Sequence, residues 1–134
     1  MFELDPTVRA FLERPRSFAT IATIDADGMP RQAVVWYRVE PDGSILVNSL
    51  VGRRWPDNLL RDPRVSLLVP DDYHYIAIRG IAERLHEGQA AEDDIIALAR
   101  LYERGDELTK REAGFRGLAR ISFLIRPQSV TVHN

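Results

Sequence analysis

Apolar and polar positions along this chain predict a mainly β domain with a few helices. Near the N-terminus Asp5 and Pro6 form an N-cap and first-turn pair, after which Val8, Phe11 and Leu12 fall on one helical face until Pro15 stops the helix. Residues 17–24, rich in Thr, Ile and Phe, run into Asp25, Ala26, Asp27 and Gly28, a hairpin turn signal, and Gln32 to Val39 predicts the returning strand. A second turn, Glu40, Pro41, Asp42 and Gly43, leads into another strand over 44–49. Three strands joined by short Gly-containing turns predict an antiparallel meander, with Val65 to Val69 as a fourth strand.

Beyond the polar Asp71 and Asp72, the segment from Tyr73 to Leu85 has strand character, and Gly80 inside it marks a bulge or sharp bend of the kind that curves a small barrel. His86, among polar residues after that strand, is expected to be exposed. Gly88 to Arg104 predicts the one long helix: Ile95, Leu98, Ala99 and Tyr102 recur at helical spacing, Glu92, Asp93 and Asp94 lie near its start, and Gly105 ends it. The polar segment 106–116 fits a loop or a short helix equally. Ala119 to Ile125 predicts a further strand, and Ser129 to Val132, after Pro127, one more at an edge. Strands followed by a late helix, without regular alternation, predict an α+β fold that is mainly antiparallel β: a single-domain barrel flanked by helices over residues 1–134.

At 134 residues, with 45% hydrophobic and 28% charged residues, the chain has the composition of an ordinary globular domain and needs no membrane span. A net charge of -2 argues against nonspecific nucleic-acid binding. The absence of cysteine excludes disulfides and thiolate metal sites, and the acid-containing N-terminus lacks a secretory pattern, so residence in the cytoplasm is expected.

Ile45 to Val69, ILVNSLVGRRWPDNLLRDPRVSLLV, is where chemistry concentrates. An apolar strand passes through Asn48 and Ser49 to Gly52, Arg53 and Arg54, and Pro56 then starts a short helical turn that Asp62 and Pro63 end. Free N–H groups, a positive dipole end and two guanidinium groups would converge there, which suits an anion such as a phosphate. A solvated basic loop is the competing reading. Neither a G-x-x-x-x-G-K-[ST] loop nor a G-x-G-x-x-G is present.

His74, His86 and His133 are scattered without a second ligand at metal-site spacing, so no metal site is expected. There is no G-x-S-x-G, and Asp71 and Asp72 read as a polar turn. Anion binding and aromatic residues without an evident nucleophile or metal favour a protein whose reactive group is a bound cofactor. Trp36, Tyr37, Trp55, Tyr73, His74 and Tyr75 either pack in the core or line a flat heteroaromatic ligand.

From Phe18 to Val132 the chain resembles the pyridoxamine phosphate oxidase-like split-barrel family, which holds flavin or deazaflavin cofactors. The carriers are FATIATIDADGMPRQAVVWY, the 45–69 stretch, YIAIRGIAE, ALARLYERG and ISFLIRPQSV in this order, and NLLRDPRVSLLV looks most like the branch that uses coenzyme F420. The resemblance implies a homodimer of split barrels with cofactor sites at the subunit interface. It places Ala33, Val34, Val35 and Trp36 beside the ring system. Asn48, Ser49, Arg53 and Arg54, helped by the helix containing Asn58, fall on the phosphate side, and Tyr73, His74 and Tyr75 come from the partner subunit. The implied activity is hydride transfer between F420 and a small unsaturated or aromatic substrate; an FMN-dependent oxidoreductase and a non-catalytic flavin- or haem-type binding protein are the alternatives. Where family members commonly carry a phosphate-neutralising lysine this chain has Trp55, which either stacks on a ring or covers the site. No catalytic side chain is assigned.

Overall fold

The structure, a computed structural model, describes residues 3–134. Helix α1 (Pro6–Leu12) precedes β1 (Ala19–Ile24), β2 (Pro30–Val35), β3 (Arg38–Val39) and β4 (Ile45–Leu50). Helix α2 (Arg54–Arg61), β5 (Arg64–Asp71), β6 (His74–Glu87), α3 (Gly88–Tyr102), α4 (Gly105–Phe115) and β7 (Arg120–His133) complete the chain. All strands pair antiparallel in one seven-stranded sheet of order β2-β1-β5-β6-β7-β4-β3.

That order dictates the architecture. Strands β2 and β3 lie at opposite edges of the sheet, yet only Trp36 and Tyr37 separate them in the chain. Consecutive Cα atoms are about 3.8 Å apart, so Val35 and Arg38 are within roughly 11 Å of each other. The sheet is therefore rolled until its edges nearly meet, and the result is a barrel with one split seam. Its interior is filled by Ile21, Ile45, Val47, Leu67, Ile78, Phe123 and their neighbours, while α3 and α4 pack outside over Leu46 through Ile95, Leu98, Ala99 and Phe115. No helix among the described residues is long and apolar enough to cross a membrane.

The expected meander is corrected here. Both hairpin turns form, with Gly28 and Gly43 in the left-handed region, but the strand expected over 32–39 is broken into two that pair with different partners. Tyr102 of α3 explains the break. Its hydroxyl accepts from Tyr37 N–H (3.2 Å) and lies 2.5 Å from the Ser17 carbonyl, to which it donates, so the backbone leaving β2 is satisfied without a neighbouring strand. Trp36 stacks on the same ring at 5.1 Å and 8°.

The two strands expected after Ala119 are one continuous β7, central between β6 and β4 and not at an edge. Pro127 is tolerated inside it because it faces Gly80 where the register shifts. A Cβ at Gly80 would lie 2.3 Å from the Arg126 carbonyl oxygen, so only glycine permits the close approach. His86 also differs from expectation: it lies within β6, half-buried, with Nδ1 2.8 Å from Asp94. Helix α3 presents the expected stripe but ends at Tyr102, and the segment left open between loop and helix is the eleven-residue α4, which Gly105 begins.

Candidate functional site

A cleft of about 330 Å³ opens at the seam, between the end of β2 and the end of β4. Val34, Val35 and Trp36 form one wall; Asn48, Ser49, Arg53 and Trp55 form the other, with Ile95, Arg111 and Arg120 from later in the chain. The end of β4, the basic loop and the start of α2 thus meet Val34, Val35 and Trp36 across the cleft.

Helix α2 begins two residues earlier than expected, with Arg53 as its N-cap and no side-chain capping hydrogen bond. Pro56 sits inside the first turn, where its missing N–H has no intrahelical acceptor to lose. One face of α2 is buried through Trp55, Pro56, Asn58 and Leu59. Trp55 belongs to the barrel core, its ring 6.2 Å from that of Phe123, and it also lines the cleft.

The adjacent arginines diverge. Arg53 lines the cleft, whereas Arg54 lies 3.8 Å from Asp25 with its side chain 63% exposed. Asp25 is the hub of the opposite side of α2: Arg31 and Asn58 bond its carboxylate at 2.9 and 2.8 Å and hold its pKa below the usual carboxylate range. Asn58, 1% exposed, also donates to Thr23 and accepts from Arg61, so its side chain ties α2 to the first hairpin and does not face the cleft. Ala33 packs toward the core. Tyr73, His74 and Tyr75 lie in the β5–β6 hairpin and do not line this cleft; Tyr73 is 83% exposed and Tyr75 stacks on His133 at 4.9 Å.

Sequence reasoning missed Arg120. It opens β7 opposite Leu50, and Nη1 donates to Asn48 Oδ1 at 3.1 Å. Its Nε is the one buried side-chain polar atom without a hydrogen-bond partner among the described residues. Burial, and secondarily the positive charge of Arg53, hold its pKa below the ordinary guanidinium value, though an arginine remains charged at neutral pH. Arg111 lies over the Trp36 ring at 5.6 Å, and its Nε is engaged by Glu103 at 2.8 Å. A desolvated cation with an unused donor, beside a second cation and an uncapped helix start, fits an anionic group: it would supply the missing acceptor and offset the like-charge repulsion.

The rolled sheet with its seam cleft defines a split-barrel protein. The family profile described as pyridoxamine 5'-phosphate oxidase matches residues 4–124, and the chain belongs to that family. A pyridoxine/pyridoxamine 5'-phosphate oxidase of Vibrio vulnificus is 35% identical over 89 residues, 63% of this chain and 40% of that protein. The chain thus spans well under two thirds of the length of that curated relative. Among solved structures, the conserved hypothetical protein Rv2991 from Mycobacterium tuberculosis superposes with a TM-score of 0.78 at 25% identity, covering 100% of this chain and 86% of that one. An F420 reductase superposes with a TM-score of 0.73 at 20% identity, covering 96% and 98%, a likeness of fold.

Proposed function

We propose that this protein is an oxidoreductase that binds a phosphate-bearing flavin-type cofactor in the seam cleft, coenzyme F420 foremost and FMN as the alternative. The observation that carries the proposal is the buried, unpartnered Nε of Arg120 beside Arg53. These two guanidinium groups and the Ser49 hydroxyl would hold the phosphate, and Val34 and Trp36 would flank the planar ring. Such a cofactor supplies two-electron chemistry, as hydride, to a small unsaturated or aromatic substrate. The protein's part is to bind, orient and keep water from one face. The name of the F420 reductase with the same fold supports the deazaflavin reading.

The cofactor site is completed, in this reading, by a second copy of the chain. Val34, Thr20, Leu68, Ala77 and Thr131 are register neighbours across five strands on the outer face of the sheet, and Val34 and Leu68 stand exposed there. Covering that row would bury apolar surface and bring a partner hairpin of the kind formed by residues 73–75 toward the cleft. Leu68→Arg is expected to give monomers by sedimentation.

Titrating the purified protein with FMN and with F420, while following tryptophan emission, tests the central claim. Quenching by one ligand names the cofactor, and steady oxidation of the reduced cofactor with candidate acceptors establishes turnover. No response to either ligand overturns the proposal and leaves a binding protein of another kind.

A further inference from the structure

A row of side chains runs from the cleft wall at Asn48 to the space beneath α3. Asn48 of β4 pairs with Ser122 of β7, which pairs in turn with His86 of β6. Asp94 reaches down from α3: its Oδ2 accepts from the fully buried Ser122 hydroxyl at 2.7 Å and lies 2.8 Å from His86 Nδ1. Asn48 Nδ2 lies 2.8 Å from Ser122 Oγ and 2.9 Å from the Ala91 carbonyl, and Asn48 Oδ1 accepts from Arg120 Nη1 at 3.1 Å.

The direction of every bond in this row follows from its far end. An ionised carboxylate can only accept, so the Ser122 hydroxyl donates to Asp94 and its oxygen is left to accept from the Asn48 amide nitrogen. The Ala91 carbonyl also only accepts, which claims the second amide N–H. Asn48 therefore turns its oxygen, and not its nitrogen, toward the cleft. It has no donor left for a ligand, and what its oxygen can hold is a hydrogen-bond donor. Arg120 supplies that donor, and its guanidinium carbon also lies over the Phe115 ring at 4.7 Å.

We propose that Ser122 and Asp94 are positioning residues for ligand recognition: acting through Asn48, they fix the Arg120 guanidinium at the cleft wall before the anion arrives. This rests on the reading of the cleft as the cofactor's phosphate site. Arginine loses much rotamer freedom when it is ordered, and a guanidinium ordered before the ligand arrives spares the complex that loss. Asn48 thereby moves from cofactor ligand to orienting group.

The test uses the full-length protein and its S122A, S122T, R120Q and S122A/R120Q variants. Each is titrated separately with FMN and with F420, and the Arg120 guanidinium is followed by nitrogen-15 NMR, its signals assigned by their loss in R120Q. S122A is expected to raise the Kd of whichever cofactor the wild type binds by on the order of tenfold, the scale of one buried hydrogen bond. S122T, which keeps the hydroxyl, restores binding, and S122A adds nothing once Arg120 is gone. The Arg120 guanidinium signals, distinct in the wild type through hindered rotation, merge in S122A. Asp94→Ala, at the half-buried end of the row, provides a second route to the same result if S122A does not fold. An equal loss with and without Arg120, or guanidinium signals unchanged by S122A, overturns the proposal. If neither cofactor binds the wild type while S122A frees the guanidinium, the cofactor reading falls and the orientation of Arg120 by Ser122 stands.

Discussion

Arg53 and Arg120 line the seam cleft together with no carboxylate in its wall, while Glu103 and Glu107 line the adjoining hollow that both arginines also border. The charge of Arg53 depresses the pKa of Arg120 further than burial alone does. Two cations kept together in a partly desolvated place are a liability for the free protein and an asset for binding an anion. Arg53→Ala and Arg120→Ala are each expected to weaken binding of the phosphate-bearing cofactor by about 1.5–3 kcal/mol, the size of a charged hydrogen bond. Arg54→Ala is expected to cost less than about 0.5 kcal/mol, because that side chain is turned toward Asp25 and solvent. Fluorescence titration of the three variants checks the ranking. A reversed order would place the phosphate on the Asp25 side of α2.

The same pair marks where the sequence stops being legible. The strand, basic loop and helix of residues 45–69 are local, and so are the turns at Gly28 and Gly43, the bend at Gly80 and the apolar stripe of α3. Which of two adjacent arginines faces the cleft is not local: it depends on Asp25, which sits in the turn of the first hairpin and draws Arg54 away. Arg120 was hidden because its place follows from the pairing of β4 with β7. The break at Trp36 and Tyr37 was hidden because the group that satisfies the freed backbone is a tyrosine hydroxyl 65 residues further on. The resemblance to a family supplied the split barrel that local pattern left as a barrel of unstated closure.

Gly80 and Gly114 separate close packing from backbone entropy. Gly80→Ala would drive a methyl to 2.3 Å from the Arg126 carbonyl, a backbone atom in the longest strand pair of the sheet, and is expected to destabilise by about 3 kcal/mol or more. Gly114 lies in α4 with open space around its virtual Cβ and no left-handed φ, so Gly114→Ala should stabilise by roughly 0.5–1 kcal/mol. Urea unfolding of both variants reads the two signs. A neutral Gly80→Ala would mean that β6 and β7 part readily at the bulge.

Trp55 stands where a lysine is common in the family, and the structure assigns it to packing. Its ring sits in the core with Phe123 and Leu59, so Trp55→Ala is expected to cost about 3–5 kcal/mol of stability. Trp55→Phe keeps most of that burial and should leave cofactor affinity nearly unchanged, since the side chain at this position is buried in the core and only 7% exposed. Comparing melting temperature with Kd for the two variants distinguishes the roles. A large loss of affinity in a well-folded Trp55→Phe would show that the indole itself touches the ligand.

Tyr102 makes alkaline stability a readout of the seam. Burial pushes its phenol from an ordinary value of 10.0 up to about 12, and burial raises Tyr37 as well. A folded-state pKa above the unfolded one means that the folded protein keeps a proton the unfolded chain releases. The stabilisation is complete below pH 10 and is lost as pH rises toward 12. Tyr102→Phe preserves the ring against Trp36 but leaves Tyr37 N–H without its acceptor and the Ser17 carbonyl without its donor, so a loss of about 1–3 kcal/mol is expected at pH 7. That difference should narrow between pH 10 and 12, because the variant no longer has this group to titrate, while Tyr37→Phe, which leaves Tyr102 in place, keeps the steep alkaline limb that Tyr102 provides. Urea unfolding of wild type and both variants across that range measures the slopes. Parallel slopes for wild type and Tyr102→Phe would mean that the hydroxyl bonded to Ser17 and Tyr37 is open to water.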